Sequence, residues 1–113
     1  MRKKRVEARV AGAAVLFAAL GDATRLALLQ QLSDGGPASI STLADRFSMT
    51  RQGVTKHLHV LADASVIDGA RHGREHVWTL KPGRLAEAQR CLELIARGWD
   101  DALSRLKSHV EDR

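Results

Sequence analysis

The stretch from Ile40 to Leu61, ISTLADRFSMTRQGVTKHLHVL, constrains the fold more than any other part of the chain. Leu43, Ala44 and Phe47 recur at helical spacing, Phe47-Ser48-Met49 interrupts the pattern, and Val54, Leu58 and Leu61 resume it as one apolar face. Two short helices joined by so tight a break form a helix-turn-helix. Ala44 is small where the first helix must cross the second closely, and Met49 and Val54 plug the corner beneath the turn. Thr50 is placed to cap the second helix, its hydroxyl accepting from a backbone N–H. With Val54, Leu58 and Leu61 inward, Arg51, Gln52, Thr55, Lys56 and His59 must face outward, and none of them is acidic. A second helix presented in this way enters a DNA major groove with its N-terminal residues leading. The stretch therefore predicts a DNA-binding module.

Charge agrees with that expectation. The net charge is +5 with five histidines counted as neutral, which favours polyanions but separates nucleic acid poorly from an anionic membrane surface. From Arg46 to Arg84 seven Arg or Lys stand against three acidic residues, so the excess is concentrated around the helix-turn-helix. At 113 residues the chain is expected to be a single domain, 1–113, with one modest core. No run approaches the roughly 20 apolar residues of a transmembrane helix. Arg2-Lys3-Lys4-Arg5 followed by apolar residues loosely mimics a signal peptide, but Glu7 and Arg9 interrupt it and no convincing cleavage site follows. The expectation is a cytoplasmic protein with no membrane partner, and the single cysteine, Cys91, fits a reducing compartment.

Around the central stretch the chain reads α-α-α-α-β-β-α, mainly helical with a small β-hairpin. Residues 1–4 are expected as a disordered charged tail. A first helix follows, with Val6, Val10, Ala13, Phe17 and Leu20 as its apolar stripe, ending at Gly21. Asp22 is the expected cap of a second helix from Ala23 to about Leu32, with Leu26, Leu29 and Leu32 inward, and Asp34-Gly35-Gly36-Pro37 ends it. Beyond Asp63-Ala64-Ser65 the period changes. Val66-Ile67 and His76-Val77-Trp78-Thr79-Leu80 read as two strands with His72-Gly73 at the tip between them, a hairpin of the kind called a wing. Arg71, His72 and Arg74 around the tip suit it to lie along phosphates or probe a minor groove. Pro82-Gly83 is expected to break the chain before a final helix, from about Arg84 to Val110. There Leu85, Leu92, Trp99 and Leu106 are spaced by seven, with Ala88, Ile95 and Ala102 between them and Leu103 and Val110 widening the seam. That surface exceeds what a small domain can cover alone, and a symmetric dimer would use it.

Three stretches carry a resemblance to a family. Leu20-Gly21-Asp22-Ala23-Thr24-Arg25, Ser48-Met49-Thr50-Arg51-Gln52-Gly53-Val54-Thr55-Lys56-His57-Leu58, and Ala64-Ser65-Val66-Ile67 leading into a wing resemble the ArsR/SmtB family of bacterial transcriptional regulators. The middle stretch is the most specific, and the likeness spans nearly the whole chain. The resemblance implies a homodimeric winged helix whose first and last helices pair the subunits, with Val6, Val10, Phe17, Leu85, Leu92, Ile95, Trp99 and Leu106 at the interface. It also implies a repressor binding an operator near a promoter.

Many members of that family release DNA on binding metal, through a Cys-x-Cys pair at the start of the first helix of the helix-turn-helix. Here Ser39-Ile40-Ser41 occupies those positions, and serine hydroxyls cannot replace thiolates for soft metals. The other common site pairs Asp-x-His with His-x-x-His or His-x-x-Glu on the final helix. His109 and Asp112 supply one His-x-x-Asp half, with no Asp-x-His before it on this helix. The expectation is no metal site and no cofactor, with a metal-responsive repressor built on an atypical site as one alternative. Release by an organic ligand at the dimer interface, by oxidation or by a competing protein stays open.

Within the recognition helix, Arg51 suits guanine and Gln52 suits adenine, and either can instead grip phosphate. Thr50 and Lys56 read as backbone contacts that set register, Thr55 joins the outward face, and His59 is the exposed contact where His57 is structural. Cys91 beside Leu92 and Ala88 reads as a small buried hydrophobe or as a redox-active thiol near the subunit boundary. No nucleophile elbow, phosphate-cradling loop or carboxylate pair points to an enzyme. A non-DNA interaction module that dimerises through the final helix is the other alternative.

Overall fold

The computed structural model describes residues 2–112 as five helices and three strands in the order α1 (Arg2–Leu20), α2 (Ala23–Gly35), β1 (Ala38–Ser39), α3 (Ile40–Phe47), α4 (Arg51–Asp63), β2 (Ile67–His72), β3 (Glu75–Leu80) and α5 (Pro82–Glu111). The helices and the wing are those expected, with a short third strand added. Ala38 and Ser39 pair with Trp78 and Val77, so the hairpin becomes a three-stranded antiparallel sheet of order β1-β3-β2. Two residues carry no period-2 signal, which is why β1 is invisible in the sequence.

Side-chain and backbone caps define the helix ends. The Asp22 carboxylate accepts the Arg25 N–H at 3.0 Å, Ser39 Oγ accepts the Thr42 N–H at 3.2 Å, and Thr50 Oγ1 accepts the Gly53 N–H at 3.0 Å. Helices α3 and α4 both end with a serine in the left-handed region, Ser48 at φ 50° and Ser65 at φ 62°. After each serine the next N–H reaches back across the last turn, Met49 to the Ala44 carbonyl at 3.0 Å and Val66 to the Leu61 carbonyl at 3.1 Å. Met49 is thereby folded under the turn against Ala44, as the corner requires.

The core joins Leu16 of α1, Leu28, Leu29 and Leu32 of α2, Leu43 and Ala44 of α3, Val54, Leu58 and Leu61 of α4, and Val66, Ile67 and Trp78 from the wing. Four details depart from the sequence reading. Helix α1 starts at Arg2, so Arg2, Lys3 and Lys4 are helical rather than a disordered tail, in keeping with the good helix propensity of Arg and Lys; Met1 lies outside the described residues. The buried face of α1 is Leu16 and Ala19, with Ala13, Phe17 and Leu20 half-buried beside it and Val10 56% exposed; the Val6 side chain lies outside the described residues. This rotation follows from the contact with α5, where Arg84 donates to the Gly12 carbonyl at 3.3 Å. In α2 Leu28 is inward and Leu26 is exposed, because Arg25 holds the inward place one turn before Leu28 and Leu29. Its guanidinium donates to the Ala18 and Ala19 carbonyls, closing the end of α1. Finally, Pro82-Gly83 does not break the chain before α5. Pro82 occupies the first turn, where its missing N–H costs nothing.

Helix α5 is 30 residues long, about 45 Å at 1.5 Å per residue, and it runs well past the rest of the fold. The radius of gyration is 18.9 Å against about 13 Å for a compact domain of this length. Ala88 is buried and Leu85 half-buried against the core, but Leu92, Ile95, Trp99, Leu103, Leu106 and Val110 are exposed, Trp99 to 66%. Among the described residues no single helix is long and apolar enough to cross a membrane.

Candidate nucleic-acid interface

The first turn of α4 leaves Thr50, Arg51, Gln52 and Lys56 exposed while Val54 and Leu58 anchor the helix from behind. Thr55 is half-buried, its hydroxyl donating to the Arg51 carbonyl at 2.6 Å. Arg51, Gln52, Thr55 and Lys56, four of the nine side chains expected to meet DNA, line one shallow depression.

The wing stands beside that surface. Its strands close on Gly73 and Arg74, with Gly73 at φ 64°, one residue further along than the His72-Gly73 tip read from the sequence. The left-handed conformation explains the shift, since the glycine takes the first place of the two-residue loop. Register then sorts the tip residues. Arg71 pairs with His76 and His72 with Glu75, so Arg71 shares the sheet face of His76 and Trp78 while His72 lies on the other. A cleft of about 240 Å³ opens between this inner face and the starts of α3 and α4, lined among others by Ser39, Ser41, Arg51, Arg71, Arg74 and His76. Sequence spacing brings Arg71 and Arg74 near each other, but only the register sets them across from Arg51. Ser41 and His76 belong to this cleft and were not among the expected site residues; the signal available for His76 was its place opposite Arg71 in the hairpin.

His59 occupies a different place from the rest of the outward face. About 12 Å along α4 from Arg51, it is exposed but lies against Trp78, with ring centroids 6.2 Å apart and tilted. On the other side His76 stacks flat on Trp78, centroids 4.8 Å apart and planes within 9°. Trp78, only 4% exposed, thus ties the recognition helix to the wing, and such aromatic pairs are worth about 0.5–1.5 kcal/mol each beyond the area they bury. Gly69 permits the stack. A Cβ there would lie 2.6 Å from His76 Nε2 and 3.0 Å from the Trp78 ring. Gly69→Ala is expected to unstack His76 and cost about 1–3 kcal/mol, since the buried indole has little room to retreat. Urea unfolding followed by circular dichroism measures it, and an unchanged midpoint would show that the stack bears no strain from a methyl group.

Behind the interface, Asp22, Arg25 and His57 join α1, α2 and α4. Arg25 Nη1 lies 3.4 Å and Asp22 Oδ2 3.8 Å from His57 Nδ1, so His57 packs at the helix junction. The Arg25 N–H holds the Asp22 carboxyl below its ordinary range, with the Arg25 guanidinium and His57 adding to that effect. Ser39, the first of the two serines read at the expected Cys-x-Cys positions, is buried as the cap of α3 and donates to Thr42 Oγ1 at 3.0 Å. Among the described residues no three His, Cys, Asp or Glu side chains are grouped as metal ligands; His109 and Asp112 are exposed near the end of α5, and Cys91 is half-buried.

Comparison with known proteins follows the same lines. Residues 20–70 match the helix-turn-helix domain family, covering α2 through most of β2. The chain is 38% identical over 68 residues to the HTH-type transcriptional regulator YuzN of Bacillus subtilis, 55% of this chain and 74% of that protein. A solved ArsR-like transcriptional regulator from Rhodococcus sp. RHA1 is 34% identical, with 88% of this chain and 92% of that one covered and a TM-score of 0.77. The chain belongs to the ArsR family. As an ArsR-family protein it is a transcriptional regulator with a winged helix-turn-helix DNA-binding domain. The fold extends to more distant members, such as the winged helix-turn-helix domain of a Mycobacterium bovis protein described as homodimeric (20% identity, TM-score 0.59, 92% of this chain and 90% of that one).

Proposed function

We propose that this ArsR-family chain is a homodimeric repressor that binds an inverted-repeat operator in the cytoplasm. Each subunit sets the first turn of α4 in a major groove, with Arg51 and Gln52 reading base edges, Thr50, Thr55 and Lys56 setting register, and Arg71, Arg74 and His72 of the wing following the adjacent backbone. His59 lies at the wing base and contacts the backbone there. The observation that carries this reading is the exposed first turn of α4 facing the wing guanidiniums across one cleft, with no carboxylate paired to Arg51, Arg71 or Arg74 among the described residues. Dimerisation is supported by the apolar seam that α5 leaves exposed, by the exposed Val10 of α1, and by the homodimer described for the M. bovis protein; Val6 and Phe17 are assigned to the interface with them. A two-fold pair of recognition helices reads half-sites one helical turn apart, about 34–36 Å.

Selection of random duplex DNA on the purified chain tests the proposal. An inverted repeat bound by a dimer is expected, with affinity falling steeply as salt rises. Transcription in vitro from a promoter carrying that repeat should then fall as protein is added. Failure to enrich any sequence at low salt would overturn DNA reading, and a rise in transcript would overturn repression.

A further inference from the structure

We propose that His57 is a positioning residue that sets the recognition helix according to its own protonation: Arg25 holds the neutral ring, Asp22 holds the protonated ring, and only the first arrangement presents α4 to the operator. The consequence for DNA rests on the reading above; the exchange of partners does not.

His57 meets two groups at one ring nitrogen. Its Nδ1 lies 3.4 Å from Arg25 Nη1 and 3.8 Å from Asp22 Oδ2. A guanidinium has donors and no acceptor, so the shorter contact forms only when Nδ1 carries a lone pair, with the ring neutral and its proton on Nε2. Protonation turns both ring nitrogens into donors. Nδ1 then loses Arg25, faces it as a like charge, and has Asp22 Oδ2 as its acceptor. Asp22 stays ionised across the interval in which a histidine titrates, because the Arg25 N–H bonded to it at 3.0 Å holds the carboxyl below its ordinary range. Among the described residues Asp22 and Arg25 are the charged groups within reach of the ring nitrogen. The end of α1 contributes only the Ala18 and Ala19 carbonyls, both taken by Arg25. One turn away along α4 stand Gly53, Val54, Val60 and Leu61, none of them charged, and the neighbouring Lys56 is exposed. The exchange reaches the operator face because of where Arg25 is anchored. Its Nε and Nη2 donate to α1 and its backbone belongs to α2, so Nη1 is the donor that ties α4 to both. Arg51 begins the same helix about 9 Å from His57. Releasing Nη1 and drawing the ring toward the cap of α2 therefore shifts the helix whose first turn must meet base edges.

Two readouts on the full chain test this. In the free ¹⁵N-labelled protein the His57 ring nitrogens should show the Nε2–H form at about pH 8, and the Arg25 Nε–H signal should move as His57 titrates between about pH 8 and about pH 5. His57→Asn sets a carbonyl oxygen near the place of Nδ1 and takes no charge, so it keeps the Arg25 bond in acid and the Arg25 signal should stay still. The second readout is affinity for the selected operator over the same interval at constant ionic strength. His59 and His72 gain charge in acid and favour DNA in both chains alike, so the ratio of wild-type to His57→Asn affinity isolates His57. That ratio should fall about tenfold from about pH 8 to about pH 5, the size of one lost charge-assisted hydrogen bond. His57→Leu, with no acceptor at any pH, should bind weakly throughout, in constant ratio to His57→Asn. A residue with only a packing role would change the melting temperature and leave the wild-type ratio level. If Nδ1 carries the proton at about pH 8, the exchange of partners is overturned; if the ratio is level while the operator is bound specifically, the positioning of α4 is overturned; in both cases DNA reading stands. If no duplex is selected but the Arg25 signal follows His57 in the wild type and not in His57→Asn, the exchange stands and DNA reading fails.

Discussion

Trp99→Glu is expected to convert the dimer to monomers and lower operator affinity by two or more orders of magnitude. Trp99 is 66% exposed in the single chain, on the α5 face that carries Leu92, Ile95 and Leu106, so the subunit itself loses little. Surface substitutions of this kind stay within about 0.5 kcal/mol. In the proposed dimer the same position would be buried twice, once from each subunit, and two unpaired carboxylates in an apolar seam cost several kcal/mol. Joining two half-sites through one dimer raises affinity roughly 10²- to 10⁴-fold over a single half-site, and that gain disappears with the seam. Leu94→Glu is the matched control. Leu94 is also exposed and apolar but sits about 140° around the helix from Trp99, off the seam, and its replacement should leave the dimer intact. Sedimentation equilibrium and a half-site titration read both variants. A Trp99→Glu chain that still sediments as a dimer would move the interface elsewhere.

The second large effect is at the start of α4. Arg51→Ala and Gln52→Ala should each cost about 1–3 kcal/mol per half-site where they make a bidentate base contact, so about 2–6 kcal/mol per dimer, with preference relaxed at the base pair each one reads. Both residues are exposed and lie in the first turn, where alanine is compatible with the helix, so a change in melting temperature is not expected. Lys56→Ala should behave differently. A phosphate contact carries no sequence information, and its loss weakens all duplexes alike and lowers the salt slope by about one per subunit. Binding titrations on the selected operator and on each single-base variant separate the two behaviours. Uniform weakening for Arg51→Ala would reassign that residue to the backbone.

These effects rest on parts of the molecule that were legible to different degrees. The helix-turn-helix was readable because Leu43, Ala44, Val54, Leu58 and Leu61 repeat at helical spacing and Thr50 caps where the pattern restarts, all consequences of local backbone geometry. The apolar face of α5 was readable for the same reason, since seven-residue spacing is a property of one helix. Helix faces set by contact with another element were less legible. In α2 the apolar rule chose Leu26, but the inward place belongs to Arg25, whose guanidinium is accepted by the Ala18 and Ala19 carbonyls at the end of α1. A charged residue can hold a core-facing position only when a distant backbone offers acceptors, and no window of sequence contains them.

The cleft shows the same division. Arg51 and Arg71 are candidates from their charge alone, and the alternation of a hairpin is implicit in the sequence. What α1's rotation, the two-residue strand β1 and the convergence of Ser41, Arg51, Arg71 and Arg74 share is that each depends on how finished elements pack. The sequence by itself determined which segments are helix and wing and which residues face out of the recognition helix, because periodicity and capping act over a few residues. The tertiary structure alone decided that the wing lies against the starts of α3 and α4, since Trp78, gripped by His76 across Gly69 and touched by His59 of α4, sets that angle through contacts between elements far apart in the chain.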